Sequence, residues 1–335
     1  MFRPTRLFRV LAVVFAAALL VSGCQGAQPA KEAPLRLIRF GYTSTPDVNS
    51  LPSFLAMESL REKGYDVVPV FIAEDSQAIQ AVLAGDVAFS DASVNQVLAA
   101  IQQGADLKEV YVRARSDQSL VASMSIQSGS DLHGKKIAIS DPGSSSTAMI
   151  QQWFKENFPE AQPELVIVGS SDVRAQAMLS GQVDATSLEL GDILALQKER
   201  PGDFHVLAPF ATQLPKIQWE MVFTSGKYIK ENPDVVDAII EAELLSNRRV
   251  YAEPDYLMDR GYKYVSDRDP ADLQEVLNAY RETNFWTVDG GLTDEEVQYN
   301  IDFFVNSGSL EPGLTVAQVA DRSPLDRVLK RIGSK

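Results

Sequence analysis

Two stretches of the chain repeat one pattern of apolar and polar positions. They are QAVLAGDVAFS at 80–90 and QAMLSGQVDAT at 176–186, which begin 96 residues apart. In each stretch the apolar residues keep a helical spacing up to a glycine, Gly85 or Gly181, and a short apolar run follows. A glycine directly after the last periodic residue is the usual end of a helix. The pattern therefore predicts, in both places, a helix that leads into a short β-strand.

The segments around this repeat also agree with each other. The runs LRLIRF and KKIAIS each have the pattern of a first strand, YDVVPVFI and PELVIVG that of a second, and LKEVYV and DFHVLAPF that of a fourth. Each copy thus alternates strand and helix, which predicts a mainly parallel sheet covered by helices. The expected fold class is therefore α/β, with two such lobes.

The chain after Pro209 follows a different pattern, with one strand, WEMVFTS, and then helices. Asn232-Pro233 and Asp269-Pro270 each place a proline at the first position of a helix, and TDEE at 293–296 forms a capping box. We expect these helices to be scaffold rather than site. Five aromatic residues are expected to pack them together: Tyr280, Phe285, Trp286, Phe303 and Phe304.

The first 34 residues have the layout of an export signal followed by a tether. Three arginines, an apolar run at 10–21 and a Ser-Gly pair precede the single cysteine, Cys24. The apolar run is too short for a membrane span, which needs roughly 20 residues. The sequence VSGC resembles the bacterial lipobox, which implies cleavage before Cys24 and attachment of lipid to its sulfur. We therefore expect a signal peptide at 1–23, a lipidated cysteine and tether at 24–34, and an exported protein anchored to the outer face of the cell membrane. The alternative is an ordinary signal peptide with an incidental cysteine.

The charge and the composition exclude several functions. The formal net charge is −14, which repels nucleic acid and anionic membrane surfaces. With one cysteine there is no internal disulfide, and neither His133 nor His205 belongs to a metal-binding motif. No cofactor or metal is expected.

The loops that leave the predicted strands carry the candidate chemistry, because ligands of parallel α/β sheets bind at the carboxyl ends of the strands. These loops are GYTSTPDVN, SDASVNQ and RARSDQS in the first copy, and SDPGSSSTAM and SLELGD in the second. They are rich in hydroxyls and short carboxylates and contain no nucleophile with a base. An enzyme is therefore not expected.

One of these loops, DPGSSST at 141–147, places four consecutive hydroxyls at the start of a helix. Free N–H groups and hydroxyls at such a position hold an anion or a carbonyl group. The alternative is that one serine simply caps the helix. The loop is not a phosphate-binding P-loop, because the lysine of that motif is absent.

The combined order of these motifs resembles a known family. The segments GYTST, AVLAGDVAFSDAS, DLHGKKIAISDPGSSS, AQAMLSGQVDATSLEL and YIKENPDVVDAII are similar to those of substrate-binding proteins of ABC importers. That family includes sulfonate, taurine and nitrate binders, and pyrimidine- and riboflavin-binding proteins related to thiamine-precursor synthases. The resemblance covers about residues 35–252.

The resemblance implies a two-lobed periplasmic-binding-protein fold with two crossovers between the lobes. Lobe one would comprise 35–114 and 211–335, and lobe two 118–208, with hinges at 115–117 and 209–210. The strands that follow each crossover, LVASMS and WEMVFTS, would run antiparallel at the sheet edges. Implied partners are a small solute and the permease and ATPase subunits, with the binding protein itself a monomer.

The ligand is the point on which the sequence is least decisive. A sulfonate or nitrate would use the hydroxyls at 144–147 and an unpaired Arg115. Four carboxylates near the cleft disfavour an anion and suit N–H or hydroxyl donors: Asp47, Asp91, Glu189 and Glu220. Tyr42 and Trp219 have rings that can stack on a flat ligand. We therefore favour an aromatic heterocycle such as riboflavin or a thiamine-precursor pyrimidine over sulfonate, taurine or nitrate.

These arguments and the resemblance together give a predicted ligand-binding set. Its members are Tyr42, Thr43, Ser44, Thr45, Asp47, Asp91, Ala92, Ser93, Arg115, Ser144, Ser145, Ser146, Thr147, Glu189 and Trp219. Trp219 alternatively packs a strand under the C-terminal helices. Two other functions remain as alternatives, an enzyme related to the thiamine-pyrimidine synthases and a sensor or adhesion lipoprotein.

Overall fold

A computed structural model describes residues 35–218 and 220–335. Cys24, with the signal and tether, and Trp219 lie outside the described residues, so the expectations for them stay predictions. Within the described ranges, no helix combines the length and the apolar character needed to cross a bilayer.

The strands form two five-stranded sheets in the described part of the chain, with the orders β2-β1-β3-β10-β4 and β7-β6-β8-β5-β9. We call the first sheet with its helices the first lobe and the second sheet with its helices the second lobe. The strands are β1 (Arg36–Tyr42), β2 (Tyr65–Phe71), β3 (Phe89–Ser93), β4 (Leu107–Tyr111), β5 (Ser119–Ser123), β6 (Lys136–Ile139), β7 (Glu164–Ile167), β8 (Ala185–Leu188), β9 (Phe204–Pro209) and β10 (Glu220–Ser225).

The two sheets confirm the internal repeat. In each lobe the first strand pairs in parallel with the second and third, and the helix before the third strand ends at a left-handed glycine, Gly85 with φ +80° or Gly181 with φ +68°. Glycine adopts this conformation without the steric cost that a Cβ brings. The same local signal therefore produces the same helix-to-strand turn twice.

The predicted sheet edges are wrong. β5 and β10 run antiparallel to their neighbours, as expected, but each lies one position inside its sheet. The outer positions belong to β9 and β4, which pair with the far sides of β5 and β10. An apolar strand buried on both sides avoids presenting unpaired backbone groups at an edge.

Helices cover both sheets and form the C-terminal part of the chain. They are α1 (Leu51–Ser59), α2 (Asp75–Ala84), α3 (Val94–Gln102), α4 (Ser145–Asn157), α5 (Ser171–Leu179), α6 (Leu190–Glu199), α7 (Phe210–Gln213), α8 (Gly226–Glu231), α9 (Pro233–Ala252), α10 (Tyr256–Gly261), α11 (Pro270–Glu282), α12 (Asp294–Asn306), α13 (Val316–Val319) and α14 (Ser323–Ile332). Short 3₁₀ helices lie at Val48–Ser50, Leu60–Lys63, Gly129–Leu132 and Tyr262–Tyr264.

The predicted starts of the C-terminal helices are confirmed. Pro233 and Pro270 open α9 and α11, and Thr293 and Glu296 form the capping box of α12. The five aromatic residues assigned to packing are all buried. Tyr280, Phe285 and Trp286 belong to one apolar cluster, in which the rings of Tyr280 and Phe285 stack with centroids 4.2 Å apart. These helices therefore form a scaffold beside the first sheet.

Candidate functional site

The cleft lies where the carboxyl ends of the parallel strands of both lobes meet. In the first lobe, β10 runs antiparallel, and its first residue, Glu220, pairs with Ser93 at the carboxyl end of β3. The loop at 43–47 leaves β1 at the same end of the sheet. In the second lobe, α4 follows β6 and α6 follows β8, and the latter begins next to Glu189. Loops from opposite sheets thus share one boundary.

The two lobes touch across this boundary. The amide of Asn95, in α3, donates to the carbonyl of Gly143, and the hydroxyl of Ser145 donates to Asn95 Oδ1 over 3.2 Å. Further from the cleft, Lys155 Nζ donates to the carbonyl of Asn306 over 3.3 Å. The structure is therefore a closed arrangement of the lobes.

A cavity of about 10 Å³ lies near the first crossover, lined by Asn49, Arg113, Ala114, Arg115, Glu220 and Phe285. That volume holds about one water molecule. A ligand of the size of a ring system therefore does not fit in this cavity in the described arrangement.

A buried ionic network forms the first-lobe side of the cleft. Arg113 Nη2 donates to Asp91 Oδ2 over 3.0 Å and also to the carboxylate of Glu220. Asp91 Oδ1 accepts from the backbone N–H of Thr43 over 2.8 Å and lies 3.1 Å from its hydroxyl. Arg113 Nη1 has no hydrogen-bond partner within the described residues, although Arg113 is buried. The network therefore ties the loop after β1 to β3 and to the segment after β4.

Two carboxyl groups in or near this network hold protons more tightly than usual. Burial, reinforced by the charge of Asp91, raises the pKa of Glu220 to about 7. Burial also raises the pKa of Glu243 in α9 to about 7, although Arg113 and a 2.9 Å hydrogen bond from Ser53 act in the opposite direction. This part of the cleft is therefore rich in carboxyl groups relative to cations.

The second-lobe side contributes Glu189 and the crossover contributes Asp117. Burial, followed by the charge of Asp117, raises the pKa of Glu189 well above its ordinary value. Burial also raises the pKa of Asp117 to about 6. The side-chain carboxylate of Glu189 has no hydrogen-bond donor among the residues that the structure describes. Its backbone N–H donates to the hydroxyl of Ser171, and its backbone carbonyl accepts from the N–H of Ile193. Glu189 is thus a carboxyl group at the cleft with unused acceptor capacity.

The structure corrects the expectation for Tyr42. Its side chain is 1% exposed and lies between Phe40 and Phe54, with ring centroids 5.0 Å and 5.2 Å away. Ile38, Phe40 and Tyr42 alternate along β1 and point to the same buried face, as a period of two requires. Tyr42 is therefore a core residue and is not available to stack on a ligand.

The hydroxyls at 144–147 are mostly used inside the protein. Ser144 caps α4 by accepting from the N–H of Thr147 over 3.2 Å, and Thr147 donates to the carbonyl of Asp141 over 2.7 Å. Ser145 is committed to Asn95, and Ser146 lies 3.2 Å from Ser144. The capping alternative thus accounts for this run. The prediction that all four hydroxyls are free to hold a ligand is wrong.

Three charged residues of the predicted set also have protein partners. Arg115 is not unpaired, because its Nη2 lies 2.7 Å from Glu296. Asp47 binds Arg268 over 2.8 Å and caps the short helix at Val48–Ser50. Asp91 is fully buried and binds Arg113, so its part at the cleft is indirect.

The remaining predicted residues divide by exposure. Ala92 is buried and contributes packing. Five lie at the cleft edge with side chains that are exposed or half-buried, and ligand contact by them stays a prediction: Thr43, Ser44, Thr45, Ser93 and Glu189. Trp219 lies outside the described residues.

Three residues of the cleft, Asn95, Arg113 and Asp117, are not among those predicted from the sequence. Arg113 and Asp117 flank Arg115 within RARSDQS, and Arg115 is the residue of this loop that was predicted to bind the ligand. For Asn95, the only signal in the sequence was its position as a polar residue just after the strand that follows QAVLAGDV. Within the described ranges, no group of three metal-binding side chains comes together.

The chain belongs to the NMT1/THI5-like family, whose model matches residues 60–256. Its fold is the two-lobed α/β fold of periplasmic binding proteins. No curated protein matches the sequence.

Solved structures support the fold at low sequence identity. A putative periplasmic sulfonate-binding protein SsuA from Methylobacillus flagellatus KT superposes with a TM-score of 0.68 and 18% identity, over 89% of this chain and 95% of that one. The alkanesulfonate-binding protein SsuA from Xanthomonas axonopodis pv. citri, bound to MOPS, gives 0.67 and 19%, over 87% and 100%. The desulfurization enzyme DSZB gives 0.63 and 14%, over 88% and 99%. At these identities the similarity shows the fold alone.

Proposed function

We propose that this protein is the solute-binding component of an ABC importer, which captures a small molecule between its lobes and presents it to a permease. The observation that carries the proposal is the position of the cleft, where loops from both sheets meet at the carboxyl ends of the strands. Family membership supports it. The lobes would be 35–114 with 211–335, and 118–208, and would move about hinges at 115–117 and 209–210.

The proposal is a binding protein rather than an enzyme. Among the described residues, the cleft presents carboxyls, hydroxyls and an arginine that is already paired with Asp91 and Glu220. None of these contacts pairs a nucleophile with a base. The similarity to DSZB shares the fold, and activity depends on the site rather than on the fold.

We propose further that the protein is exported and held at the membrane by lipid on Cys24. A single acyl chain gives only marginal membrane binding, and stable anchoring takes two signals or more. The lipobox resemblance supplies a diacylated cysteine. The tether at 24–34 would then keep the folded body beside the permease.

The proposed ligand is a flat heterocycle with N–H donors, such as riboflavin or a thiamine-precursor pyrimidine. Glu189 supports this class, because its carboxylate faces the boundary without a donor among the described residues. Glu220 adds a second carboxyl group with one cationic partner, Arg113. N–H donors of a ligand would satisfy these acceptors, whereas a compact anion would be repelled.

An alkanesulfonate, taurine or nitrate is the second candidate. Two of the superposed structures are named as sulfonate or alkanesulfonate binders, which favours this candidate. Against it, Arg113 and Arg115 both have carboxylate partners, so an oxoanion would have to displace Glu220 or Glu296. The two ligand classes therefore differ in how they use the same carboxyl groups. A heterocycle would donate N–H groups to them, whereas an oxoanion would have to displace them from the arginines.

A thermal-shift screen tests the binding function. A solute that binds only the folded protein at 100 times its Kd stabilises it by about 2.7 kcal/mol, which raises the melting temperature. We expect a shift with riboflavin or hydroxymethylpyrimidine, and a smaller shift for Glu189→Gln. The matched control is Glu164→Gln, at the start of β7, whose carboxyl is exposed. If no small solute shifts the melting temperature, the proposed function is wrong.

A further inference from the structure

Asp117 forms hydrogen bonds to both lobes from the crossover between β4 and β5. Its Oδ2 accepts from the hydroxyl of Tyr280, in α11 of the first lobe, over 2.6 Å. The same atom lies 3.4 Å from the backbone N–H of Leu190, the first residue of α6 in the second lobe. One carboxyl group therefore joins the crossover to a helix on each side.

These contacts lie at one end of a seam between α6 and α11. The side chain of Leu190 packs against the apolar cluster that contains Tyr280 and Phe285. At the other end of the seam, Lys198 of α6 pairs with Asp272 of α11 on the surface. Because the two helices belong to different lobes, the seam exists only while the lobes are closed.

Most of the charged groups around Asp117 are acidic. Asp47 approaches from the loop before α1 and is paired with Arg268, and Glu189 approaches from the start of α6. Burial and this repulsion raise the pKa of Asp117 to about 6. From its own segment, Arg115 is directed to Glu296 instead. An ionised Asp117 thus receives two hydrogen bonds but lies close to other carboxylates.

We propose that Asp117 is a clasp between the lobes, which holds the closed form through Tyr280 and α6, and that its charge sets how firmly the lobes close. The inference rests on the proposed function only in assuming that the lobes open and close. A protonated carboxyl still accepts hydrogen bonds and no longer repels Glu189. Protonation therefore favours closure.

The direction of the pH effect follows from linkage. In the open form the seam is hydrated, and Asp117 returns toward the ordinary carboxyl value near 4. Between roughly pH 4 and pH 6 the closed form therefore binds more protons than the open form, and closure strengthens as the pH falls. Glu189 acts in the same direction, since burial raises its pKa as well.

Energy transfer between two labels at the outer edges of the lobes tests the clasp. Ala73 follows β2 and Ile167 ends β7, the edge strands farthest from the crossovers, and both residues are exposed. The full chain would carry Ala73→Cys and Ile167→Cys with Cys24→Ser, so that only these two positions are labelled. Without any solute, we expect transfer efficiency to stay level from pH 8 to about pH 6 and to rise as the pH falls from about 6 toward 4.

Two variants and one control complete the experiment. In Asp117→Asn the neutral amide should raise the transfer efficiency at pH 8 and make the rise below pH 6 smaller, leaving only the part that Glu189 contributes. Tyr280→Phe removes the hydroxyl donor and should lower the transfer efficiency at every pH. Lys198→Ala breaks only the exposed pair in the same seam, and its curve should superimpose on that of the parent chain.

Two results of these measurements would contradict the clasp. A parent chain without a rise below pH 6, or an Asp117→Asn curve equal to the parent curve, would overturn it. If circular dichroism shows that Tyr280→Phe does not fold, the Asp117→Asn comparison decides alone. A clear rise below pH 6 in a protein that binds no solute would contradict the proposed function and leave the clasp in place.

Discussion

Arg113 and Asp91 form an ion pair with an N–O distance of 3.0 Å inside the first lobe, where their side chains are 8% and 0% exposed. A buried pair of this kind is costly to desolvate and persists when additional hydrogen bonds complete it. Here the backbone N–H of Thr43 supplies such a bond to Asp91. The pair therefore fixes the loop after β1 in place, and it shapes the first-lobe side of the cleft before any ligand arrives.

Replacing Arg113 tests the cost of breaking this pair. Arg113→Met leaves Asp91 buried without its cation, and we expect a loss of about 3–5 kcal/mol in the free energy of unfolding. Urea unfolding followed by circular dichroism measures it. The matched control is Arg327→Met, which breaks the more exposed pair with Asp237 and should cost less than about 1 kcal/mol. Equal losses in the two variants would contradict the structural role given to Arg113.

Glu243 should make the protein less stable as the pH rises. Its carboxyl pKa is raised to about 7 by burial, so between pH 5 and pH 7 the folded chain binds a proton that the unfolded chain releases. Glu243→Gln removes this effect. A shift of this size corresponds to about 3 kcal/mol at 1.36 kcal/mol per pKa unit, so the variant should melt at a higher temperature than the parent at pH 8 and at nearly the same temperature at pH 5.

Glu241, two residues earlier on α9, provides a control of opposite sign. Burial acts to raise its pKa, but hydrogen bonds from Lys63 and Arg331 lower it overall. Its ionised form therefore stabilises the fold, and Glu241→Gln should lower the melting temperature at pH 8. Glu243→Gln could instead prove less stable than the parent at pH 8. That result would show that the Glu243 carboxylate receives stronger hydrogen bonds or ion pairing than we describe.

Gly41 marks a close approach between β1 and β3. A Cβ at this position would lie 2.4 Å from Ser90 Oγ, and Ser90 is fully buried. Gly41→Ala should therefore destabilise the protein by about 1–3 kcal/mol, the usual cost of overpacking a core. Gly191 in α6 serves as the control, because a Cβ there would have no other atom within 4 Å, and Gly191→Ala should be neutral or stabilising. Chemical denaturation measures the stability of both variants. The prediction is wrong if Gly41→Ala is as stable as the parent.

The proposed lipid anchor on Cys24 should be needed for membrane binding and not for solute binding. Cys24→Ser should abolish lipid attachment and release the protein into the soluble fraction. Its melting temperature and solute affinity should not change, because the residues that form the two described sheets and the cleft between them all follow Cys24 in the chain, from Arg36 onward. Detergent partitioning measures the first effect. Retention of Cys24→Ser with membranes would rule out the lipobox interpretation.

The sequence was sufficient for most of the fold because the fold depends on local signals. Gly85 and Gly181 end equivalent helices, and Pro233 and Pro270 begin others, since each residue restricts its own backbone. The placement of β5 and β10 in the sheet interior could not be predicted in this way. That position depends on where β4 and β9 pair, which no local pattern encodes.

The site was less predictable because its partners are distant in sequence. Asp91 and Arg113 are 22 residues apart, and Asp117 and Tyr280 are 163 apart. The family resemblance placed Glu189 in the cleft loop SLELGD as a candidate, but neither it nor the loop composition could show that Arg115 pairs with Glu296. For the same reason Tyr42 looked like a ligand contact until its face of β1 was known to be the buried one.

Calorimetry of the purified protein against five solutes tests the central claim most directly. The solutes are riboflavin, hydroxymethylpyrimidine, taurine, an alkanesulfonate and nitrate. We predict saturable binding of one solute per chain for riboflavin or hydroxymethylpyrimidine, weakened in Glu189→Gln and unchanged in Glu164→Gln. Tight binding of taurine, the alkanesulfonate or nitrate alone would contradict the proposed ligand class, and no binding of any small solute would contradict the proposed function itself.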